Sequence, residues 1–121
     1  MAEHTIFVVD DDPEIREMLS RFLQDKGYRV IAIQCGSEAL ARLESQTPHL
    51  VITDLLLPGE HGLDLVRSIK TKWFVPTIVL SGIYSRSDVT QVMKEESVDA
   101  FFEKPVDLDK LLETIIQLLN E

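Results

Sequence analysis

The feature that most constrains the fold is a fivefold alternation of short apolar runs with segments of helical periodicity. The apolar runs predict five strands, at Ile6–Val9, Tyr28–Ile33, Leu50–Asp54, Thr77–Leu80 and Val98–Phe102. The segments between and after them predict five helices, near 13–26, 37–47, 63–72, 87–96 and 107–120. Right-handed crossovers between such units give a parallel sheet with helices on both faces. The sequence therefore predicts a single doubly wound α/β domain over residues 1–121.

Composition narrows the possible partners and the compartment. The net charge of −9 disfavours nucleic acid and anionic membranes as direct partners, because binding to phosphate groups requires a basic surface. The single cysteine, Cys35, cannot form an internal disulfide, which is typical of a reducing compartment. The N-terminal residues lack the pattern of a signal peptide, and no apolar stretch approaches the length of a membrane span. We therefore expect a cytoplasmic protein.

Helix signals account for one of three consecutive carboxylates after the first strand. Asp12 precedes Pro13 at the start of a helical pattern, which predicts Asp12 as the N-cap and Pro13 as the first helical residue. Gly27 supplies the residue that ends this helix in a left-handed conformation. Asp10 and Asp11 are not explained by capping.

Polar side chains follow four of the predicted strands at the point where each strand ends. Asp10 and Asp11 follow the first strand, Asp54 the third, Ser81 the fourth and Lys104 the fifth. Each has an ordinary explanation alone, as a turn residue or a solvated charge. Because the carboxyl ends of parallel strands meet at one edge, where α/β proteins bind ligands, we expect these side chains to form one site.

The chemistry of this set favours a metal ion and a phosphoryl group. Three neighbouring carboxylates repel one another and stay ionised near neutral pH only beside a cation. Oxygen ligands favour Mg²⁺, and an ionised aspartate is a competent nucleophile towards phosphorus. Lys104 offers a cation, and Ser81 a hydroxyl donor, to phosphoryl oxygens. The three carboxylates and one ammonium leave two negative charges, which one Mg²⁺ neutralises.

Four motifs in the expected order give the chain a resemblance to response-regulator receiver domains over essentially its whole length. These motifs are FVVDDDP, TDLLLPGEHGL, VLSG and FFEKP. The resemblance implies a flavodoxin-like sheet of order 2-1-3-4-5. It also implies a phosphoacceptor in a two-component system, modified by a sensor histidine kinase or phosphotransfer protein. Such a domain is not an enzyme towards external substrates and catalyses only its own phosphorylation and dephosphorylation.

The resemblance also assigns roles to individual residues. Asp54 becomes the phosphoacceptor, and Ser81 and Lys104 contact the phosphoryl oxygens. Asp11, Asp54 and the backbone carbonyl of Leu56 become Mg²⁺ ligands, and Asp10 contributes directly or through water. Ser81 and Phe101 become the switch residues, and the peptide bond between Lys104 and Pro105 becomes cis. This sequence departs from the family pattern at the switch, because Phe101 lacks the hydroxyl of the more usual tyrosine.

The last predicted helix carries seven apolar residues, a wider stripe than one core-facing side needs. Two interpretations remain open, a fully packed terminal helix and a surface for a homodimer or another partner. The resemblance implies that phosphorylation changes the surface formed by the fourth helix, fifth strand and fifth helix. The recipient of that change is a downstream protein or an effector domain of the same protein.

Two other functions fit parts of the sequence. The first is a Mg²⁺-dependent phosphatase of the haloacid-dehalogenase type with Asp10 as nucleophile, which would leave Asp54 without a role. Pro13 and Glu14 also depart from that family's motif. The second is an interaction module that works without phosphorylation, for which the complete set of site residues would be unnecessary.

Overall fold

The computed structural model describes residues 3–57, 60–82, 95 and 97–120. Five parallel strands form the main sheet: β1 (Thr5–Val9), β2 (Arg29–Ile33), β3 (Leu50–Asp54), β4 (Thr77–Ser81) and β5 (Ala100–Glu103). Their spatial order is β2-β1-β3-β4-β5, and every neighbouring pair is parallel. This confirms the flavodoxin-like sheet and its order.

Four helices accompany the sheet in the described residues: α1 (Pro13–Asp25), α2 (Gly36–Ser45), α3 (Gly62–Trp73) and a C-terminal helix (Leu108–Leu119). Apart from Glu95, the helix predicted over 87–96 lies outside the described residues. Where the sequence suggested only a loop after β3, Leu56–Leu57 pairs with Glu60–His61 as a short antiparallel ribbon. None of the described helices has the length and apolarity needed to cross a bilayer.

Alternate residues along the strands lie on opposite faces of the sheet and join separate core clusters. On β1, Ile6 and Val8 face a layer formed with α1 and the C-terminal helix, which contribute Leu19 and Leu111 among others. Phe7 and Val9 face the opposite layer, formed with α2 and α3. These four apolar side chains of β1 are at most 1% exposed. The absence of polar alternation in β1 therefore reflects burial on both faces.

The start of α1 matches the sequence prediction. Asp12 has extended backbone dihedrals, and its Oδ1 accepts a hydrogen bond of 2.9 Å from the backbone N–H of Glu14. Pro13 occupies the first helical position, where no intrahelical N–H donor is needed. This cap fixes the direction in which the chain leaves the end of β1.

Gly27 follows α1 with φ of +96°, the left-handed conformation predicted for the residue that ends this helix. A Cβ atom built there meets nothing within 4 Å, so a substitution would act through the backbone alone. We expect Gly27→Ala to lower the free energy of unfolding by about 1 kcal/mol, measured by urea denaturation. Gly27→Asn should cost less, because asparagine tolerates this region better. Equal stability of Gly27→Ala and the wild type would contradict the assignment of strain.

The C-terminal helix uses most of its apolar stripe within the domain. Leu111 and Ile115 are buried, and four further residues pack partly buried against the same core layer: Leu108, Leu112, Leu118 and Leu119. Ile116 is the remaining apolar residue and is 36% exposed. Core packing therefore accounts for most of the width that the sequence left open to two interpretations.

Candidate functional site

The carboxyl ends of β1, β3, β4 and β5 carry the polar residues singled out from the sequence. Asp10 and Ser81 are fully buried, Asp54 is 5% exposed, and Lys104 is partly exposed. Asp11 is exposed and lies next to Asp10 at the rim of the same edge. The topology thus brings residues 94 positions apart in the chain into direct contact.

Lys104 joins the two buried carboxylates. Its Nζ donates to Oδ2 of Asp10 at 2.9 Å and to Oδ2 of Asp54 at 3.2 Å. Its backbone N–H donates to the carbonyl oxygen of Ser81 at 2.6 Å, which ties the start of the next loop to the end of β4. One residue therefore contacts the ends of three other strands. The peptide bond between Lys104 and Pro105 is cis.

The carboxylates of Asp10, Asp11 and Asp54 converge on one point. Each offers an oxygen, and these oxygens lie within 4.8 Å of one another. Asp10 Oδ1 also accepts the backbone N–H of Asp12 at 2.9 Å, so the buried carboxylate has a fixed orientation. Three hard oxygen donors this close together fit the ligand preference of Mg²⁺. The donor set is therefore compatible with the metal ion that the sequence predicted.

Burial and the charge of Lys104 have opposite effects on the pKa of Asp54. Its removal from water, reinforced by the negative charge of Asp10, raises the pKa of Asp54 above the ordinary value of 3.8. The ammonium of Lys104 and the backbone N–H of Leu56 oppose this effect, but the net change is upward. Burial lowers the pKa of Lys104, but the hydrogen bond and charge of Asp10 and the charge of Asp54 outweigh it, so that pKa is raised. Lys104 is therefore the counterion of this acidic site.

The raised pKa of Asp54 has a consequence for stability. Folding favours the protonated carboxyl, so its contribution to stability is complete below the ordinary pKa and is lost as pH rises through the raised pKa. Without metal at neutral pH, we expect Asp54→Asn to be more stable than the wild type, on the order of 1 kcal/mol. The difference should vanish as pH falls below 3.8.

Thermal unfolding across this pH range, in buffer with a chelator, measures the difference. Asp64→Asn is the matched control, because Asp64 is exposed and its pair with Arg67 lies on the surface. We expect that control to stay within about 0.5 kcal/mol of the wild type at every pH. A destabilised Asp54→Asn at neutral pH would contradict the electrostatic description of the site.

Ser81 and Phe101 lie on the same face of the sheet. Val79 is paired with Phe101 and Ser81 with Glu103, so Phe101 lies two positions below the edge that carries Ser81. The Ser81 hydroxyl donates to the carbonyl oxygen of Gly82 at 3.3 Å. Phe101 is half-buried against a small apolar cluster of Leu55, Leu63, Val66 and Val79. This arrangement places an aromatic ring beneath the hydroxyl-bearing strand end.

One polar contact at the site was not predicted from the sequence. Arg16 of α1 donates from Nη1 to the backbone carbonyl oxygen of Asp10 at 2.6 Å. The available signal was the position of a basic residue one turn into the helix that follows the aspartate triplet. Helical periodicity alone does not show that such a side chain turns back towards the strand end.

Comparison with known proteins agrees with this description. Residues 6–116 match the family model for the response regulator receiver domain. Response regulator RR06 of Streptococcus pneumoniae is 33% identical over 115 residues, covering 95% of this chain and 52% of that protein. The DNA-binding response regulator MtrA of Mycolicibacterium smegmatis is 37% identical over 100 residues, covering 83% and 43%. The chain thus spans about half the length of these relatives.

Solved structures give the same result. A response regulator receiver protein from Pseudomonas putida superimposes with a TM-score of 0.88 at 36% identity, covering 97% of this chain and 98% of that one. The chemotaxis response regulator CheY4 of Vibrio cholerae gives a TM-score of 0.85 at 27% identity, covering 98% and 100%. The chain therefore belongs to the response regulator receiver domain family of two-component systems. Domains of this family are generally signalling modules, not enzymes acting on external substrates.

Proposed function

We propose that this receiver accepts a phosphoryl group on Asp54 from a sensor histidine kinase or phosphotransfer protein. The observation that carries the proposal is the pairing of a nearly buried aspartate with Lys104, at 3.2 Å, inside a cluster of three carboxylates. A buried carboxylate carries an unfavourable charge that Lys104 and a bound cation can stabilise, and an ionised carboxylate is a competent nucleophile towards phosphorus. The domain acts on itself, catalysing only its own phosphorylation and dephosphorylation.

In the transfer step, a carboxylate oxygen of Asp54 forms a bond to phosphorus as the bond to the donor's leaving atom breaks. The product is an acyl phosphate on Asp54, and the electron pair of the broken bond leaves with the donor. Lys104 lies 3.2 Å from Asp54 and would contact a phosphoryl oxygen there. Ser81, at the neighbouring strand end, supplies a hydroxyl donor to another.

Asp10, Asp11, Asp54 and the backbone carbonyl of Leu56 would hold Mg²⁺ in this site. The ion, when bound, neutralises charge that develops on the transferring phosphoryl oxygens. Asp10 contributes a carboxylate already oriented by Asp12 and Lys104. Asp11 is the exposed ligand, open to water and to an entering ion.

Phosphorylation would change the population of two conformations. The phosphoryl group draws the Ser81 hydroxyl towards it, and Phe101 moves inward on the same face of the sheet. The surface of β5, the C-terminal helix and the helix predicted over 87–96 then differs between the two states. A downstream protein, or an effector domain of a longer protein, would read that surface. A homodimer through the C-terminal helix has one exposed apolar residue to use, Ile116.

The Asp10-dependent phosphatase is the less well supported alternative. Asp10 is fully buried, and its two oxygens already accept hydrogen bonds from Asp12 and Lys104. Asp12 is occupied as the N-cap of α1, which removes it from the motif that such a phosphatase requires. Asp54 would also have no function in that enzyme.

Incubation with acetyl phosphate and Mg²⁺, followed by intact-mass spectrometry, tests the proposal. We expect the protein to gain the mass of one phosphoryl group, and a chelator to abolish the gain. After labelling, excess chelator stops further phosphorylation. The loss of mass over time then shows whether the phosphoryl group is released slowly as inorganic phosphate, as expected of an acyl phosphate. No gain of mass in the presence of Mg²⁺ would contradict the proposed function.

A further inference from the structure

Arg16 contacts one of the three aspartates of the site, but it does so through the main chain of Asp10. Its Nη1 donates to the main-chain carbonyl of Asp10 at 2.6 Å, and among the ion pairs of the described residues Arg16 takes part in none. On the same helix, Arg21 pairs instead with Glu17 at 2.6 Å on the surface. Arg16 is a half-buried residue, and its guanidinium acts on the backbone of the site.

The carbonyl that Arg16 holds lies where the β-ladder ends. The backbone N–H of Asp10 still donates to Ile33, but β1 itself ends at Val9. A buried carbonyl oxygen without a donor is costly, so Arg16 satisfies a group that the sheet leaves unpaired. This alone would be a structural role.

The same contact fixes the peptide between the two metal-ligating aspartates. Because a peptide is planar, holding the Asp10 carbonyl oxygen fixes the plane from which Asp11 continues. The Asp10 carboxylate has its own hydrogen bonds from Asp12 and Lys104. No such bond holds the exposed Asp11 carboxylate in the described part of the chain, so its place depends on that peptide.

We propose that Arg16 is a positioning residue for the metal site, orienting the Asp10–Asp11 peptide so that both carboxylates converge with Asp54. This inference rests on the proposed function, in which Mg²⁺ is the ion bound. The positioning role and the charge of Arg16 predict opposite changes in Mg²⁺ affinity when Arg16 is replaced. Removing a positive charge that contacts Asp10 should strengthen cation binding at the site, whereas loss of orientation should weaken that binding.

The experiment measures the Mg²⁺ dissociation constant of the metal-free protein by isothermal titration calorimetry at fixed ionic strength. For Arg16→Gln we expect the constant to rise about 10-fold or more, as is usual when a residue that orients a metal ligand is removed. Arg21→Gln is the matched control, with the same charge removed from the same helix, and should change the constant less than about 2-fold. Arg16→Lys keeps the charge but not the planar donor, and should give an intermediate rise.

An unchanged or smaller dissociation constant in folded Arg16→Gln would overturn the inference. If that variant fails to fold, as judged by circular dichroism, Mg²⁺ binding by Arg16→Lys tests the positioning role without a change in net charge. Weaker Mg²⁺ binding there supports positioning, and unaltered binding overturns it. Labelling of each variant with acetyl phosphate separates this inference from the proposed function. A wild type that binds Mg²⁺ and gains phosphate, beside an Arg16→Gln variant that binds Mg²⁺ equally well, would refute the positioning role alone. A wild type that binds no Mg²⁺ would refute both.

Discussion

Asp54→Asn is expected to abolish the Mg²⁺-dependent gain of phosphate, reducing labelling to the level seen with a chelator. The amide has no ionised oxygen to attack phosphorus, while its size and the contacts of the surrounding strands are retained. Intact-mass spectrometry after incubation with acetyl phosphate measures this directly.

Two substitutions within the aspartate triplet after β1 serve as controls for that result. Asp12→Asn should be labelled like the wild type, because asparagine also caps helices well and Asp12 is engaged in capping. Asp10→Asn should be labelled more slowly, since it removes a proposed metal ligand but leaves the acceptor intact. Labelling that survives in Asp54→Asn and disappears in Asp10→Asn would instead support the phosphatase.

Lys104→Met is expected to lower the stability of the metal-free protein and to strengthen its binding of Mg²⁺. Lys104 is the ammonium between Asp10 and Asp54, and its side chain is only 17% exposed. Removing one partner of a buried ion pair leaves uncompensated charge, so we expect a loss of about 3 kcal/mol without metal. Mg²⁺ should bind this variant more tightly and restore much of the lost stability, since it replaces the missing cation.

Urea denaturation with and without Mg²⁺ measures this effect. Lys110→Met removes the same charge from an exposed position on the C-terminal helix and should change stability by less than about 0.5 kcal/mol. If metal-free Lys104→Met is as stable as the wild type, or binds Mg²⁺ no more tightly, Lys104 is not the counterion of the site.

The sequence predicts the elements of this fold better than their arrangement. The strands β1, β3 and β4 are continuous apolar runs because both sheet faces are covered, and the signal for α1 is complete in Asp12, Pro13 and Gly27. The order of the strands depends on contacts between distant segments, and it came from the resemblance to a family. The ribbon at Leu56–Leu57 is too short to have a pattern of its own.

For the site as well, the sequence predicted which residues lie close together but not which contacts they make. Strand ends identified the residues that share one edge, because parallel topology requires that proximity. Periodicity could not show that Lys104 contacts both Asp10 and Asp54, or that Arg16 turns back towards the end of β1. Those contacts depend on side-chain directions, which are set only when the helices pack on the sheet. The apolar width of the C-terminal helix was likewise ambiguous until its contacts with the core were known.

Trapping the acyl phosphate shows whether Asp54 itself carries the phosphoryl group. Borohydride reduces an aspartyl phosphate to homoserine but leaves a free carboxylate unchanged. After labelling with acetyl phosphate and Mg²⁺, reduction and peptide mapping should find homoserine at position 54 and aspartate at positions 10, 11 and 12. Homoserine at position 10 with unmodified Asp54, or no homoserine in a protein that has gained phosphate, would contradict phosphorylation of Asp54.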